Sequence, residues 1–98
     1  MIRFERRAEF KRGTGAVKWA SEITDYINAQ NADVKLRLFL MRFDGINTLC
    51  WTADFEDLMA LDQWQLSIGG DQGYKKLRKK SFEMLVEGTI SDTVMVLV

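Results

Sequence analysis

The sequence predicts an α+β domain whose elements follow the order β-α-β-β-α-β. Three observations indicate this order: apolar residues alternate with polar ones in short segments, they recur at helical spacing in longer segments, and turn-forming residues separate the two kinds. The chain has 98 residues, which is the size of one domain. We therefore expect a single α+β domain over residues 1–98.

The composition is typical of a globular protein and narrows its chemistry. Apolar residues make up 47% of the chain and the formal net charge is zero, which disfavours both disorder and a general attraction to nucleic acid. The absence of histidine excludes the commonest general base and the commonest transition-metal ligand. Because Cys50 is the only cysteine and neither a signal peptide nor a membrane span is evident, we expect a soluble, cytoplasmic protein without metal or cofactor.

The first strand and the first helix have the clearest patterns. Apolar and charged residues alternate between Ile2 and Phe10, which predicts a strand. Gly13-Thr14-Gly15 ends this strand, and Thr14 is predicted to cap a helix that runs to about Gln30. The apolar stripe of that helix is formed by Ala16, Ala20, Ile23 and Ile27.

The next two strands are predicted to form a hairpin. The second strand spans residues 34–43, begins half-buried, and becomes buried on both faces. Asp44-Gly45-Ile46-Asn47 provides a tight reversal, and alternation from Leu49 to Phe55 predicts the third strand.

The second helical region is predicted in two pieces, followed by the last strand. Asp54 or Asp57 caps the first piece, Gly69-Gly70 breaks the helix, and the second piece runs from Asp71 to about residue 87. The last strand, at 93–98, ends in five apolar residues. We therefore expect it to be buried on both faces, by this chain's helices on one side and by another subunit on the other.

This order predicts a ferredoxin-like antiparallel sheet with both helical regions on one face, because crossover connections are right-handed. Three segments also carry a family resemblance: Gly45-Ile46-Asn47, Phe55-Glu56-Asp57-Leu58 and Asp71-Gln72-Gly73-Tyr74. They are similar to the Gly-x-Asn reversal, the aromatic-acid-Ser-Leu helix entry and the Asp-Pro-x-Trp turn of NIPSNAP-type domains, within the dimeric α+β barrel superfamily. The resemblance implies a homodimer that pairs sheet against sheet.

The superfamily includes cofactor-independent quinone-forming monooxygenases, haem-degrading enzymes and dehydratases, and many of these enzymes use a histidine. This chain has none, so the resemblance does not carry an activity over. Whether the protein is an enzyme stays open at this point.

Five residues are candidates for a binding site: Arg6, Arg42, Trp51, Asp54 and Tyr74. The two arginines have apolar neighbours, and a buried guanidinium needs either an internal carboxylate or a ligand anion as its partner. The aromatic pair, with Trp19 and Trp64, suits either a flat ligand or the core. Asp54 suits either a general base or a helix cap.

Three functions remain open on the sequence alone. The candidate residues favour a homodimer that binds a small, partly hydrophobic molecule. The alternative is a structural or protein-interaction domain whose apolar surface serves assembly. The basic run from Lys75 to Lys80 suits an RNA-binding module, but it lacks the accompanying aromatic motif and a solvated helix face explains it better.

Overall fold

The computed structural model of the protein describes residues 1–42 and 47–98. Its elements are β1 (Ile2–Glu9), α1 (Ala16–Gln30), β2 (Arg37–Leu40), β3 (Thr48–Phe55), α2 (Leu58–Gly69), α3 (Gln72–Lys79), α4 (Ser81–Met84) and β4 (Ser91–Val96). The predicted order is confirmed, with the second helical region divided into three helices. No helix within the described ranges combines the length and the apolar character needed to cross a membrane.

The four strands form one antiparallel sheet in the order β2-β3-β1-β4. This order has β1 and β3 in the interior and confirms the predicted ferredoxin-like sheet. Alternation gives the sheet an inner face, which packs against the helices, and an outer face. The inner face of the two central strands carries Ile2, Phe4, Arg6, Ala8, Leu49, Trp51, Ala53 and Phe55. The outer face of β1 carries the charged residues Arg3, Glu5, Arg7 and Glu9.

Helix α1 covers the inner face with the predicted apolar stripe, of which Ala16, Ala20, Ile23 and Ile27 are all buried. The predicted cap at Thr14 is wrong, because the Thr14 hydroxyl donates to the carbonyl of Lys11 at 2.7 Å instead. Gly15 occupies the cap position with φ 76°, in the left-handed region that favours glycine.

Aspartates cap the next two long helices. The Asp57 carboxylate accepts a hydrogen bond from the Ala60 amide at 2.9 Å, at the start of α2. Asp71 accepts one from the Tyr74 amide at 2.9 Å, at the start of α3. The sequence left Asp54 and Asp57 as alternative caps, and in the structure Asp57 is the cap. The predicted break at Gly69 and Gly70 is confirmed.

Strand β2 is shorter and more exposed than the sequence predicts. It spans only Arg37–Leu40, and Phe39 and Leu40 are each about half exposed, because β2 lies at the edge of the sheet. The Asn28 side chain bonds both the amide and the carbonyl of Leu36, at 2.8 and 2.9 Å, just before the strand begins. The predicted reversal lies outside the described residues except for Asn47, whose φ is 60°.

Strand β4 contradicts the prediction that this chain's helices bury one of its faces. All six residues of Ser91–Val96 are exposed, as are Leu97 and Val98. The physical reason is position: among the described strands β4 pairs only with β1, so it forms the second edge of the sheet. Its apolar side chains therefore form an uncovered surface on the isolated chain.

Candidate functional site

A cavity of about 310 Å³ lies between the inner face of the sheet and the helices. The sheet contributes Phe4, Arg6, Ala8 and Trp51, together with Leu36 from the segment before β2. The helices contribute Trp19, Ile23, Ile27, Trp64, Gln65, Ile68, Gly69, Tyr74, Arg78 and Ser81, and two later residues, Leu85 and Ile90, complete the wall. The volume lies at the lower end of the range for small-molecule sites.

Hydrogen bonds and ring contacts hold the tryptophan walls in place. The Trp51 indole donates to the Thr24 hydroxyl at 3.0 Å, and the Trp19 indole donates to the Leu77 carbonyl at 2.8 Å. These two rings meet edge to face, with centroids 6.4 Å apart. Trp64 packs in the same way against Phe4, with centroids 6.2 Å apart. The apolar part of the cavity is therefore built from fixed, flat surfaces.

Arg6 is the charged group on the sheet side of the cavity. Its Nε and Nη2 donate to the two carboxylate oxygens of Asp92 at 2.7 and 2.8 Å, between directly paired residues of β1 and β4. The hydrogen bond to Asp92 raises the pKa of Arg6, and the hydrogen bond from Arg6 lowers the pKa of Asp92. The Arg6 guanidinium also lies 5.7 Å from the centre of the Phe4 ring. The arginine predicted to need an anionic partner has one inside the chain.

Helix α3 provides the opposite polar wall. Tyr74 and Arg78 both line the cavity, and their spacing of four residues places them on the same face of the helix. Tyr74 adds to the rise in the pKa of Arg6, and the Arg78 charge adds to the fall in the pKa of Asp92. Tyr74 and Arg78 of α3 therefore interact electrostatically with Arg6 and Asp92 of the sheet. We call the part of the cavity that Arg6, Tyr74 and Arg78 line its polar end.

Asp71 fixes this wall in position. One carboxylate oxygen accepts hydrogen bonds from the Tyr26 hydroxyl at 2.7 Å and from the Tyr74 amide at 2.9 Å. The Tyr26 hydrogen bond lowers the pKa of Asp71, which keeps the acceptor ionised. Tyr26 belongs to α1, so a single side chain joins α1 to the helix that carries Tyr74.

The structure brings together Arg6, Trp51 and Tyr74 among the five predicted site residues, and it places the other two elsewhere. Asp54 lies on the outer face, where Arg3 donates to it at 2.8 Å and lowers its pKa. A carboxylate held in this way is poorly suited to act as a base. Arg42 is exposed beyond the end of β2 and does not line the cavity.

Arg78 was not identified as a candidate from the sequence. It belongs to the basic run, and its helical spacing from Tyr74 was the available signal. Trp64 was predicted, with Trp19, as part of either a flat-ligand wall or the core, and nothing in the sequence distinguishes it from Trp51. In the structure Trp64 differs because its buried indole nitrogen has no hydrogen-bond partner among the described residues.

Comparisons with known proteins give matches in structure but not in sequence. No protein-family model matches the chain, and a search of curated proteins finds no significant match. Among solved structures, the NIPSNAP-family protein Atu4242 from Agrobacterium tumefaciens, of unknown function, is similar with a TM-score of 0.82 and 15% identity, over 100% of this chain and 94% of that protein. An uncharacterised NIPSNAP domain protein from Burkholderia xenovorans is similar with a TM-score of 0.81 and 13% identity, over 100% of this chain and 95% of that one.

A further similar structure is that of an antibiotic biosynthesis monooxygenase, with a TM-score of 0.71 and 13% identity, over 100% of this chain and 99% of that one. At these identities the similarity concerns the fold. The resemblance predicted from the three short segments is thereby confirmed: the chain has the ferredoxin-like α+β fold that NIPSNAP proteins and antibiotic biosynthesis monooxygenases share.

Proposed function

We propose that the protein binds a small, partly hydrophobic molecule in the cavity between the sheet and the helices. The observation that carries this proposal is the cavity itself, about 310 Å³ in volume and lined by all three tryptophans of the chain. Protein interiors contain few voids larger than a water molecule, so a space of this size favours a binding role. The polar groups Arg6, Tyr74 and Arg78 lie on its lining and provide orientation.

The direct test is nuclear magnetic resonance of the labelled protein titrated with a set of planar aromatic fragments. The chain has three tryptophans, and each gives one indole N–H signal. A fragment that binds in the cavity is expected to shift the indole signals of Trp19, Trp51 and Trp64, which all line it. A fragment set that shifts none of these signals at millimolar concentration would count against the proposal.

A pair of variants localises the binding. Gly69 lines the cavity and Gly70 does not, and a β-carbon at either position meets no atom closer than 3.6 Å. We expect Gly69→Phe to narrow the cavity and weaken fragment binding, whereas Gly70→Phe should leave binding unchanged. Equal effects of the two substitutions would place the fragment elsewhere.

The proposal includes a homodimer, supported by the apolar residues of β4. The exposed set is Val94, Met95, Val96, Leu97 and Val98. Uncovered apolar surface of this kind marks contacts with another chain, and a second copy is the commonest such partner.

Light scattering behind size-exclusion chromatography, followed across dilution, should give twice the monomer mass. Met95→Lys, opposite Arg3 of the outer face, should lower that mass, whereas Leu66→Lys, at an exposed position on α2, should not. A monomer at every concentration would exclude the dimer.

The same measurements separate this function from its alternative, a structural or protein-interaction domain. A stable dimer in which no fragment reaches the indole signals would favour the alternative. A cytoplasmic location is a prediction that cell fractionation would test.

A further inference from the structure

The charges on the cavity lining are unbalanced. Two arginines, Arg6 and Arg78, line the cavity, and no carboxylate lies among the described residues that form its wall. Asp92 neutralises Arg6 through the paired hydrogen bonds of 2.7 and 2.8 Å. The Arg78 side chain makes no hydrogen bond or ion pair with any residue in the described ranges. Arg78 is exposed, so solvent hydrates its charge in the free protein, and an anionic ligand that enters the polar end of the cavity can pair with it.

The indole of Trp64 provides a second, independent indication of a ligand. Trp64 is 6% exposed, lines the cavity, and has a buried Nε1 without a partner among the described residues. The other two tryptophans of the lining both donate hydrogen bonds. A buried donor without an acceptor costs about 1–3 kcal/mol and is rare in native proteins. Because this nitrogen is closed to solvent in the free protein, a ligand oxygen in the cavity would satisfy it once the ring or its neighbours shift to open it.

Volume and spacing limit the size of such a ligand. A dry cavity of about 150 Å³ holds one benzene molecule, so a cavity of about 310 Å³ has room for roughly two fused rings. Phe4 lies close to both Arg6 and Trp64, because the Arg6 guanidinium lies 5.7 Å from its ring centre and the Trp64 ring centre lies 6.2 Å from it. Both groups therefore lie within reach of one small molecule.

We infer that the cavity takes a two-ring aromatic acid, with its carboxylate beside Arg6 and Arg78 and a second oxygen that accepts from Trp64. This inference rests on the proposed function and specifies the class of its ligand. The aromatic walls contact the rings, Arg78 supplies the uncompensated positive charge, and Tyr74 borders the same polar end.

The test is calorimetry on the intact chain with three probes. A hydroxynaphthoate with its hydroxyl and carboxylate on opposite rings carries both proposed features. The corresponding hydroxynaphthamide lacks the charge, and plain naphthoate lacks the hydroxyl. We expect the hydroxynaphthoate to bind at least about tenfold more tightly than the amide, because a charged hydrogen bond contributes more than a neutral one. We expect a smaller loss, of about threefold to tenfold, for plain naphthoate.

Matched variants assign the charge effect. Arg78→Gln should remove most of the preference for the acid over the amide. Lys76→Gln removes the same charge from an exposed position of α3 outside the lining, and this variant should keep the preference for the acid. Equal binding of acid and amide would overturn the inference and leave the proposed function intact. An equal loss in both variants would also overturn it, by assigning the preference to net charge. If none of these probes binds but neutral fragments still shift the indole signals, the inference alone fails.

Discussion

Gly73 of α3 lies against the phenol of Tyr26 of α1, so closely that a β-carbon at position 73 would overlap the tyrosine ring and its hydroxyl. The same hydroxyl donates to Asp71, two residues earlier, at 2.7 Å. The glycine therefore allows α1 and α3 to approach closely enough for this hydrogen bond. The contact matters for the site because α3 carries Tyr74 and Arg78 into the cavity wall.

Replacing Gly73 by alanine should destabilise the protein. The added β-carbon must displace Tyr26 from Asp71, and overpacking of this kind lowers the free energy of unfolding by about 1–3 kcal/mol. Gly69→Ala is the matched control, because a β-carbon at this helical position meets nothing within 4 Å. It should be neutral or stabilising by up to about 1 kcal/mol. Urea unfolding measures both, and equal effects would show that the Tyr26 contact is not required.

The ion pair between Arg6 and Asp92 should make stability depend on pH in the acid range. Because the Arg6 hydrogen bond lowers the pKa of Asp92, the unfolded chain binds this proton more tightly than the folded chain. The stabilisation is present above the ordinary aspartate pKa of about 4 and is lost as the pH falls through the lowered pKa of the folded chain. Since both side chains are partly exposed, it should stay below about 1 kcal/mol.

The measurement is urea unfolding of the protein and of Asp92→Asn at several pH values. The variant should be less stable near neutral pH, and the difference should shrink as the pH falls below about 4. The same comparison in an Arg6→Gln background is the control, because the difference should be small there at every pH. A difference that persists at the lowest pH would contradict the assignment to the ion pair.

The tryptophans of the cavity should differ in their response to phenylalanine. Trp51→Phe removes the hydrogen bond that its indole donates to the buried Thr24, whereas Trp64→Phe removes a donor that has no partner among the described residues. Both substitutions remove a similar ring area. We therefore expect Trp51→Phe to lower the free energy of unfolding by about 1 kcal/mol more than Trp64→Phe. An equal or larger loss for Trp64→Phe would indicate that its indole is satisfied in the free protein.

Cys50 should react slowly with alkylating reagents while the protein is folded. The thiol is only 7% exposed, and burial raises its pKa, so little thiolate forms at pH 8. We expect alkylation by iodoacetamide to be at least about tenfold slower than that of glutathione. The protein unfolded in urea serves as the control and should react at the ordinary rate. Rapid alkylation of the folded protein would contradict the burial.

The sequence predicts the elements well where the signal is local. The break at Gly69 and Gly70 and the cap at Asp57 depend only on nearby residues, and the structure confirms both. The exposure of β4 could not be predicted, because the burial of an apolar strand depends on which other elements reach it. The short length and the exposure of β2, which spans four residues, could not be predicted for the same reason.

The sequence could indicate only in part which candidate residues lie together, for a related reason. Arg6, Trp51 and Tyr74 do meet in the cavity, since two of them follow the apolar face of a strand and the third belongs to a capped helix. Asp54 is three residues after Trp51, and the alternation of a strand places it on the opposite face. The alternation alone therefore separates Asp54 from the face that carries Trp51. The cavity itself was not predictable, because an open space results from the packing of several elements.

The two hydrogen bonds from Asn28 to the backbone of Leu36 have a consequence for local unfolding. One side chain of α1 here takes the place of a neighbouring strand, bonding both the amide and the carbonyl of a single residue. The Leu36 amide can exchange its hydrogen with solvent only when this bond to α1 opens. We therefore expect its exchange rate to report on the separation of this segment from α1 rather than on fraying of the sheet edge.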